Sequence, residues 1–190
     1  MMAASFDFSS MPRLETERLV LREIRPTDDL PALSALFSDP DVARYTDTGP
    51  FESQQEAEEV MEWIGGIFTQ HVGMRWALTM RTDEDEMIGT AGYNQWHQWN
   101  NSAEIGYDLK SELWGRGLMT EGLHEMLGFG FDEMALNRIE ADVTVGNEAS
   151  VRVLDKLGFQ REGLLRQRGF WKGGYHDLLL FSLLRSDWAL

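Results

Sequence analysis

The stretch LWGRGLMTE, residues 113–121, decides the fold of this chain. It follows an alternating apolar run at 103–109 and opens a helical pattern that reaches about Glu133. It therefore predicts a strand, a glycine-rich turn and a helix start, in that order. The first backbone N–H groups of a helix lack internal partners, and the aligned peptide dipoles add partial positive charge there. Gly115 and Gly117 carry no Cβ, so a bulky anion can approach their backbone closely. The stretch predicts a site for a phosphate or pyrophosphate group.

Two glycines before a helix also have a purely structural explanation. A tight strand-to-helix turn uses glycines in the same way without binding a ligand. The dinucleotide-binding pattern needs a third glycine, whereas this chain has Thr120 in that place, so a dinucleotide-binding fold is not supported. The choice between a structural turn and a phosphate site then depends on the rest of the chain.

The length and composition are those of one globular domain. The chain has 190 residues, enough for a substantial core, with 43% hydrophobic and 26% charged residues. No apolar run is long enough to span a bilayer and the first ten residues do not read as a signal peptide. We therefore expect a cytoplasmic protein without a membrane partner. The absence of cysteine excludes disulfides and a thiol nucleophile, and the four histidines lie too far apart to predict a metal site.

The charge balance restricts the class of partner. A net charge of −15 argues against nucleic-acid binding, which needs a basic face. It favours a cationic partner, because a negative field raises the encounter rate with positive substrates. Solubility, or a saline habitat, explains the same charge unless the acidic residues gather at a site.

The order of predicted elements indicates an α+β domain. Residues 1–12 have no hydrophobic periodicity and predict a disordered leader, followed by a single domain at 13–190. Strands are predicted at 18–24, 75–81, 87–93, 103–109, 138–145, 160–171 and 175–184, with a polar loop at 94–102. Helices are predicted after the capping residues Thr27, Ser53 and Asn147, and after the glycine turn. The sheet is mixed, because the long helix between 103–109 and 138–145 serves as a parallel crossover.

Six blocks in this order resemble the GNAT superfamily of acetyl-CoA-dependent N-acetyltransferases. Within it, the chain looks most like the RimJ/RimL group, which acetylates ribosomal-protein N-termini. The blocks are LETERL with LR (14–19 and 21–22), AEIGY (103–107), WGRGLMTE (114–121), NRIEA (137–141), NEAS with VLDKLGF (147–150 and 153–159) and GYHD (174–177). The resemblance implies a GNAT fold, with a mostly antiparallel central sheet flanked by helices, and a homodimer.

The resemblance also implies acetyl-CoA as the co-substrate, without a metal. The positions that match the family's cofactor contacts are Leu109, Gly115, Arg116, Gly117, Leu118, Met119, Thr120, Asn147, Ser150 and Lys156. The chain departs from the superfamily at Trp114, where Gln or Arg is usual, and at Met119, where Gly or Ala is usual. Backbone N–H groups make most of these contacts, so side-chain changes matter less, although Met119 restricts the approach to the backbone.

Transfer of an acetyl group to an amine needs a base, because the amine must be neutral to attack. An alkyl-ammonium has a pKa of about 10 and an α-ammonium of about 8. Glu104 is the first candidate base, since it resembles the catalytic glutamate of histone-acetylating relatives in an Ala-Glu-Ile context. Asp142 is the second, at a place where some ribosomal-protein acetyltransferases carry a catalytic glutamate. Alternatively, Glu104 is only solvated, or it forms an acidic acceptor pocket with Glu140 and Asp142.

The departing thiolate needs a hydrogen-bond donor or an acid. Ser150 is the candidate, because it aligns with the serine of the RimL motif; alternatively it is satisfied by the local backbone. Many relatives carry a tyrosine, proposed as the acid, at the place of Leu154. RimL itself uses a glutamate near the place of Gly169. Neither group is present in this chain.

Three functions remain open at this point. The first is acetylation of a protein N-terminus, and the second is acetylation of a small amine such as an amino acid, a polyamine or an aminoglycoside. The third is a non-catalytic module that binds acyl-CoA, which the missing tyrosine and glutamate would fit. The fold alone does not fix the acceptor.

Overall fold

One mixed sheet organises the chain in the computed structural model, which describes residues 7–188. The strands are β1 Leu14–Glu15, β2 Leu19–Glu23, β3 Met74–Met80, β4 Asp83–His97, β5 Ser102–Leu109, β6 Arg138–Thr144, β7 Gln160–Trp171 and β8 Gly174–Leu184. The helices are α1 Leu30–Ser38, α2 Pro40–Ala43, α3 Gln54–Thr69, α4 Leu118–Asp132, α5 Glu148–Lys156 and α6 Arg185–Trp188, with a 3₁₀ turn at Ser111–Leu113. None of the helices within 7–188 is long and apolar enough to cross a membrane.

The strand order confirms the predicted fold class. The order is β1-β2-β3-β4-β5-β6-β8-β7, and neighbouring strands are antiparallel except β5 and β6. Helix α4 joins this parallel pair, as the crossover prediction required. The glycine turn therefore lies beyond the carboxyl end of β5, where the chain leaves the sheet to form α4.

The two faces of the sheet carry separate cores, and this decides where polar side chains point. Ala103, Ile105 and Leu109 of β5 pack with α4 and α5 in the larger core. Helices α1 and α3 pack over the other face in a smaller core. Because side chains alternate along a strand, Glu104 and Asp108 lie on the α1 and α3 side.

Helix α4 contacts the sheet closely through a glycine. A Cβ on Gly130 would lie 2.0 Å from the hydroxyl of Tyr93, which donates to the carbonyl of Met126. Glycine lowers helix propensity by about 1 kcal/mol relative to alanine. Here Gly130 makes room for the buried Tyr93, whose hydroxyl needs a hydrogen-bond partner. The close contact between α4 and β4 offsets the lower helix propensity of glycine.

The start of α1 differs from the prediction. The helix begins at Leu30, after Asp29, instead of following a Thr27 cap. The Asp29 carboxylate accepts two hydrogen bonds from the Arg22 guanidinium, at 2.7 and 2.8 Å, and both side chains are buried. A buried arginine on β2 needs an anionic partner. Asp29 supplies it and is therefore not in the first helical turn.

Two other segments are more ordered than the sequence indicated. Strand β4 continues to His97 through a bulge near Asn94, so residues 94–97 are not the predicted loop. Phe8 falls within the predicted disordered leader, yet its ring stacks on His71 at 4.5 Å and also packs on Phe68. The Pro12 carbonyl accepts a hydrogen bond from the Trp76 indole. Phe8 and Pro12 thus contact the folded domain, and residues 1–6 of the predicted leader lie outside the described residues.

Candidate active site

A cleft opens where β5 and β6 separate. The two strands pair only from Ser102 to Glu104 and from Arg138 to Glu140. Beyond these pairs, residues 105–109 and 141–144 no longer bond to each other, and a cavity of about 870 Å³ occupies the gap. Backbone groups facing such a gap need hydrogen-bond partners. The cleft can therefore hold an extended ligand between the two strands.

One end of the cavity is formed by the glycine turn. Gly115 and Gly117 have φ angles of 74° and 77°, in the left-handed region that favours glycine. A Cβ on Gly115 would meet no atom within 4 Å, so the backbone there is open. Among the described residues no side chain caps α4. Its first N–H groups remain free for an anion, and Leu118, Met119 and Thr120 line the cavity.

The glycine turn is fixed from behind by the start of the sheet. Glu121, in the first turn of α4, accepts hydrogen bonds from the Thr16 hydroxyl (2.5 Å) and from the Arg18 backbone (2.8 Å) and side chain (2.6 Å). Arg18 also donates to the Arg116 carbonyl at 3.0 Å. Burial would raise the pKa of Glu121, but these hydrogen bonds together lower it. The network fixes the position of the turn. Arg18 also compensates the negative charge of Glu121, which lies beside the predicted anion site.

Two carboxylates stand at the point where the strands separate. Glu104 is the last paired residue of β5, and Asp142 lies two residues past its partner on β6. Burial raises the pKa of Glu104, and the charge of Asp142 raises it further, against the opposing charge of Arg168. Burial also raises the pKa of Asp142, whose carboxylate lies 3.7 Å from Arg168. Both groups line the cavity as carboxylates more basic than usual.

Helix α5 brings a hydroxyl pair to the opposite wall. Asn147 caps the helix by accepting from the Ser150 backbone at 3.1 Å, as predicted. The Ser150 hydroxyl lies 2.6 Å from the hydroxyl of Tyr107 on β5. Burial raises the pKa of Tyr107 above its ordinary value, so the phenol stays protonated. The pair therefore joins β5 and α5 across the cavity.

The far end of the cavity is built by α2, the loop after it and α3. The loop is fastened across the gap, because Thr144 donates to the Tyr45 carbonyl at 2.9 Å and Lys172 donates to the Ala43 carbonyl at 2.7 Å. Carboxylates line this end and its floor: Asp41, Asp47, Glu56, Glu59 and Asp108. Asp108 is paired with the buried Arg75 at 2.5 Å, and Trp63 lies over that guanidinium at 5.9 Å.

The structure brings almost all of the predicted site residues to this one cavity. Those that line it are Glu104, Asp142, Leu109, Gly115, Gly117, Leu118, Met119, Thr120, Asn147, Ser150 and Lys156. Arg116 does not, because its guanidinium turns back to the Glu112 carbonyl. A Cβ on Gly169 would lie 1.8 Å from the Trp171 ring, so that indole occupies the space a side chain would need.

Sequence reasoning missed Tyr107 and the carboxylates of α2 and α3. The alternation of β5 indicated that Tyr107 faces the Ile105 side, but its contact with Ser150 depends on where α5 packs. The run of acidic residues on α3 is typical of a helix face that contacts solvent. Glu59 of that run nevertheless lines the cavity. Within residues 7–188, no three His, Asp or Glu side chains are grouped to hold a metal ion.

The comparisons with known proteins agree with this geometry. The profile of the acetyltransferase (GNAT) domain matches residues 18–160. An uncharacterized N-acetyltransferase of Bacillus licheniformis is 38% identical over 179 residues, which cover 94% of this chain and 99% of that one. The ribosomal-protein-serine acetyltransferase of Escherichia coli is 29% identical over 128 residues, covering 67% and 72%.

Among solved structures, RimL, a ribosomal α-N-protein acetyltransferase in complex with coenzyme A, superimposes with a TM-score of 0.79. It is 23% identical, and the match covers 91% of this chain and 98% of that one, so this likeness shows the fold. The matched profile spans the glycine turn, both carboxylates and the Tyr107–Ser150 pair. The chain belongs to the GNAT family and is an acetyl-CoA-dependent acyltransferase.

Proposed function

We propose that this protein transfers the acetyl group of acetyl-CoA to the α-amino group of a protein N-terminus. The observation that carries the proposal is the single cavity, which runs from the glycine turn, past Glu104 and Ser150, to an end lined by carboxylates. The name of the Escherichia coli relative supports a ribosomal-protein acceptor. Each part of the cavity has a separate task.

The glycine turn receives the pyrophosphate. The free N–H groups of the first turn of α4 and the open backbone of Gly115 suit an anion, and Arg152 and Lys156 of α5 line the same cavity. The pantetheine arm then lies in the gap between β5 and β6, where the strand backbones lack each other as partners. This places the thioester beside the last paired residues of the two strands.

Glu104 takes the proton of the amine, directly or through water. Its raised pKa matches the task better than that of an ordinary glutamate, since a base is most effective when its pKa is near the working pH. Asp142 is the alternative base and also raises the pKa of Glu104 by its charge. Ser150, on the opposite wall, donates to the sulfur that leaves.

The acceptor end selects a cation. Seven carboxylates line the whole cavity, whereas its basic residues are Arg75, Arg152 and Lys156. Arg75 is already paired with Asp108. An α-ammonium entering between α3 and the loop after α2 is attracted by this excess of negative charge. The acidic residues therefore do gather at a site, which gives the net charge of −15 a use beyond solubility.

The test is an acetyl-transfer assay with acetyl-CoA and matched acceptors. One peptide has a free N-terminus and no lysine, and a second has a blocked N-terminus and one lysine. Amino acids, polyamines and an aminoglycoside complete the set, and mass spectrometry locates the acetyl group. We expect transfer to the free N-terminus. Transfer only to small amines would assign the second function, and coenzyme A binding without transfer to any amine would assign the non-catalytic one.

A further inference from the structure

The hydroxyl groups of Tyr107 and Ser150 form a hydrogen bond in which either oxygen can be the donor. Tyr107 has one O–H donor, and Ser150 Oγ, at 2.6 Å, is its one side-chain partner among the described residues. A partly buried phenol that stays protonated needs an acceptor for its hydrogen. In one of the two arrangements the Tyr107 hydroxyl donates this hydrogen and Ser150 Oγ accepts it. This leaves the hydrogen of Ser150 free to point into the cavity.

The position of Ser150 is fixed by its neighbours on both sides. Its backbone N–H donates to the Asn147 cap at 3.1 Å, which sets the first turn of α5. Its side chain is held from β5 by Tyr107. A serine hydroxyl otherwise rotates freely, and a free rotor must be ordered each time it donates. Tyr107 removes that freedom in advance.

Leu154 of α5 and Gly169 of β7 offer no replacement for this pair. Leu154, one turn further along α5, is fully buried in the larger core and has no polar atom. Gly169 is covered by the Trp171 ring. The hydroxyl of Ser150, in contact with that of Tyr107, is a neutral hydrogen-bond donor on the wall of the cavity.

We propose that Tyr107 is a positioning residue for the departing thiolate. It donates to Ser150 Oγ and so aims the Ser150 hydrogen at the sulfur of coenzyme A. This rests on the proposed function, in which Ser150 faces the thioester.

The proton and electron balance closes without ionising Tyr107. The amine nitrogen forms a bond to the carbonyl carbon and loses its proton to Glu104. The carbon–sulfur bond then breaks with its electron pair on sulfur. Ser150 stabilises that thiolate by donating a hydrogen bond, and the proton that Glu104 took passes through water to the sulfur on release. Burial disfavours the phenolate form of Tyr107, which is why Tyr107 orients Ser150 and does not act as the acid.

The experiment measures the pKa of the coenzyme A thiol when it is bound to the protein, from the ultraviolet absorbance of the thiolate. We expect Tyr107→Phe and Ser150→Ala each to raise this pKa, and the double variant to raise it no more than Ser150→Ala alone. Such non-additivity is the signature of two groups acting as one unit. Tyr93→Phe is the matched control, because it removes a buried hydroxyl that donates to the Met126 carbonyl and does not line the cavity. It should leave the bound-thiol pKa unchanged.

Steady-state kinetics give a second readout. Removal of a direct donor typically costs about 10²–10³-fold in kcat, so Ser150→Ala should fall in that range and Tyr107→Phe should lose about tenfold. The KM for acetyl-CoA should stay nearly constant in both. An unchanged bound-thiol pKa in Tyr107→Phe, or additive effects in the double variant, would overturn the inference. The titration needs only coenzyme A, so it decides about Tyr107 even if no amine is acetylated and the proposed function fails.

Discussion

The cofactor end and the acceptor end of the cavity are built in opposite ways. The cofactor end is centred on one short stretch, residues 113–121, which presents mostly backbone N–H groups, with Arg152 and Lys156 of α5 beside it. The acceptor end draws on α2, the loop after it, α3 and the floor of the sheet, and it presents side chains. One end is therefore a property of local sequence, and the other is a property of the folded chain.

This difference predicts which substitutions each end tolerates. At the cofactor end the backbone makes the contacts, so Trp114 and Met119 can replace the usual residues, while any side chain at a glycine would interfere. At the acceptor end the charge is the recognition element, so a neutral isostere should change binding without disturbing the fold. The predictions below test this contrast, beginning with the group that stands between the two ends.

The largest expected effect is on Glu104. Glu104→Gln keeps the size of the side chain but cannot accept the proton of the amine near neutral pH, which typically costs about 10²–10⁴-fold in rate. The pKa of Glu104 is raised, so wild-type kcat/KM should fall as the pH drops through that raised value. The defect of the variant should shrink at high pH, where the free amine is abundant. A pH profile of kcat/KM from pH 6 to 9 measures both.

Asp142→Asn is the control for this prediction. If Asp142 only raises the pKa of Glu104, its removal shifts the acid limb of the profile to lower pH and leaves the plateau almost unchanged. A larger loss on the plateau in Asp142→Asn than in Glu104→Gln would transfer the role of base to Asp142.

The next prediction concerns coenzyme A binding at the cofactor end. Gly115→Glu should place a negative charge beside the pyrophosphate and weaken coenzyme A binding about 10–100-fold, from about 1–3 kcal/mol of charge repulsion. Gly173→Glu is a matched control, since Gly173 has φ 75° against 74° and equally open space, but lies in the β7–β8 turn outside the cavity. Calorimetry should give normal affinity for the control. Equal loss in both variants would attribute the effect to backbone strain.

A smaller effect concerns the support of the glycine turn. Glu121→Gln weakens the hydrogen bonds from Thr16 and Arg18, which we expect to cost about 1 kcal/mol at neutral pH and lower Tm by about 2–4 °C. The folded-state pKa of Glu121 lies below its unfolded value. Its contribution is therefore present above about pH 4.3 and is lost as the pH falls through the folded pKa. Tm measured against pH should converge for the two proteins in acid, and parallel curves would contradict this.

The sequence predicted the elements whose signals are local. The Ser53 capping box, the Asn147 cap and the crossover of α4 are confirmed. The two caps depend on residues within a few positions of one another, where backbone chemistry leaves few alternatives. The crossover follows from the order of strand, long helix and strand along the chain. The glycine turn before α4 belongs to the same class as the caps, since its signal lies within residues 113–121.

What the sequence did not indicate depends on contacts between distant segments. Asp29 pairs with Arg22 of β2, so α1 begins at Leu30 and not directly after Thr27. Tyr107 contacts Ser150, which lies 43 positions away along the chain. Lys172 of the last hairpin holds the loop after α2. Such contacts follow from how helices pack on the sheet, which alternation along one strand does not specify. The acceptor end consists of contacts of this kind.

The smallest effect tests whether charge recognition belongs to the acceptor end alone. Glu58 and Glu59 are exposed neighbours on α3, and each accepts a hydrogen bond from a glutamine four residues earlier. Glu59 lines the cavity and Glu58 does not. Glu59→Gln should raise the KM for a cationic acceptor about two- to fivefold, since an exposed charge pair contributes about 0.2–1 kcal/mol. The matched Glu58→Gln removes one charge from the same helix but outside the cavity, so it should match wild type. Added salt should shrink the difference, as screening weakens the interaction of exposed charges. Equal changes in the two variants would show that the acceptor senses the net charge of the protein and not the lining of the cavity.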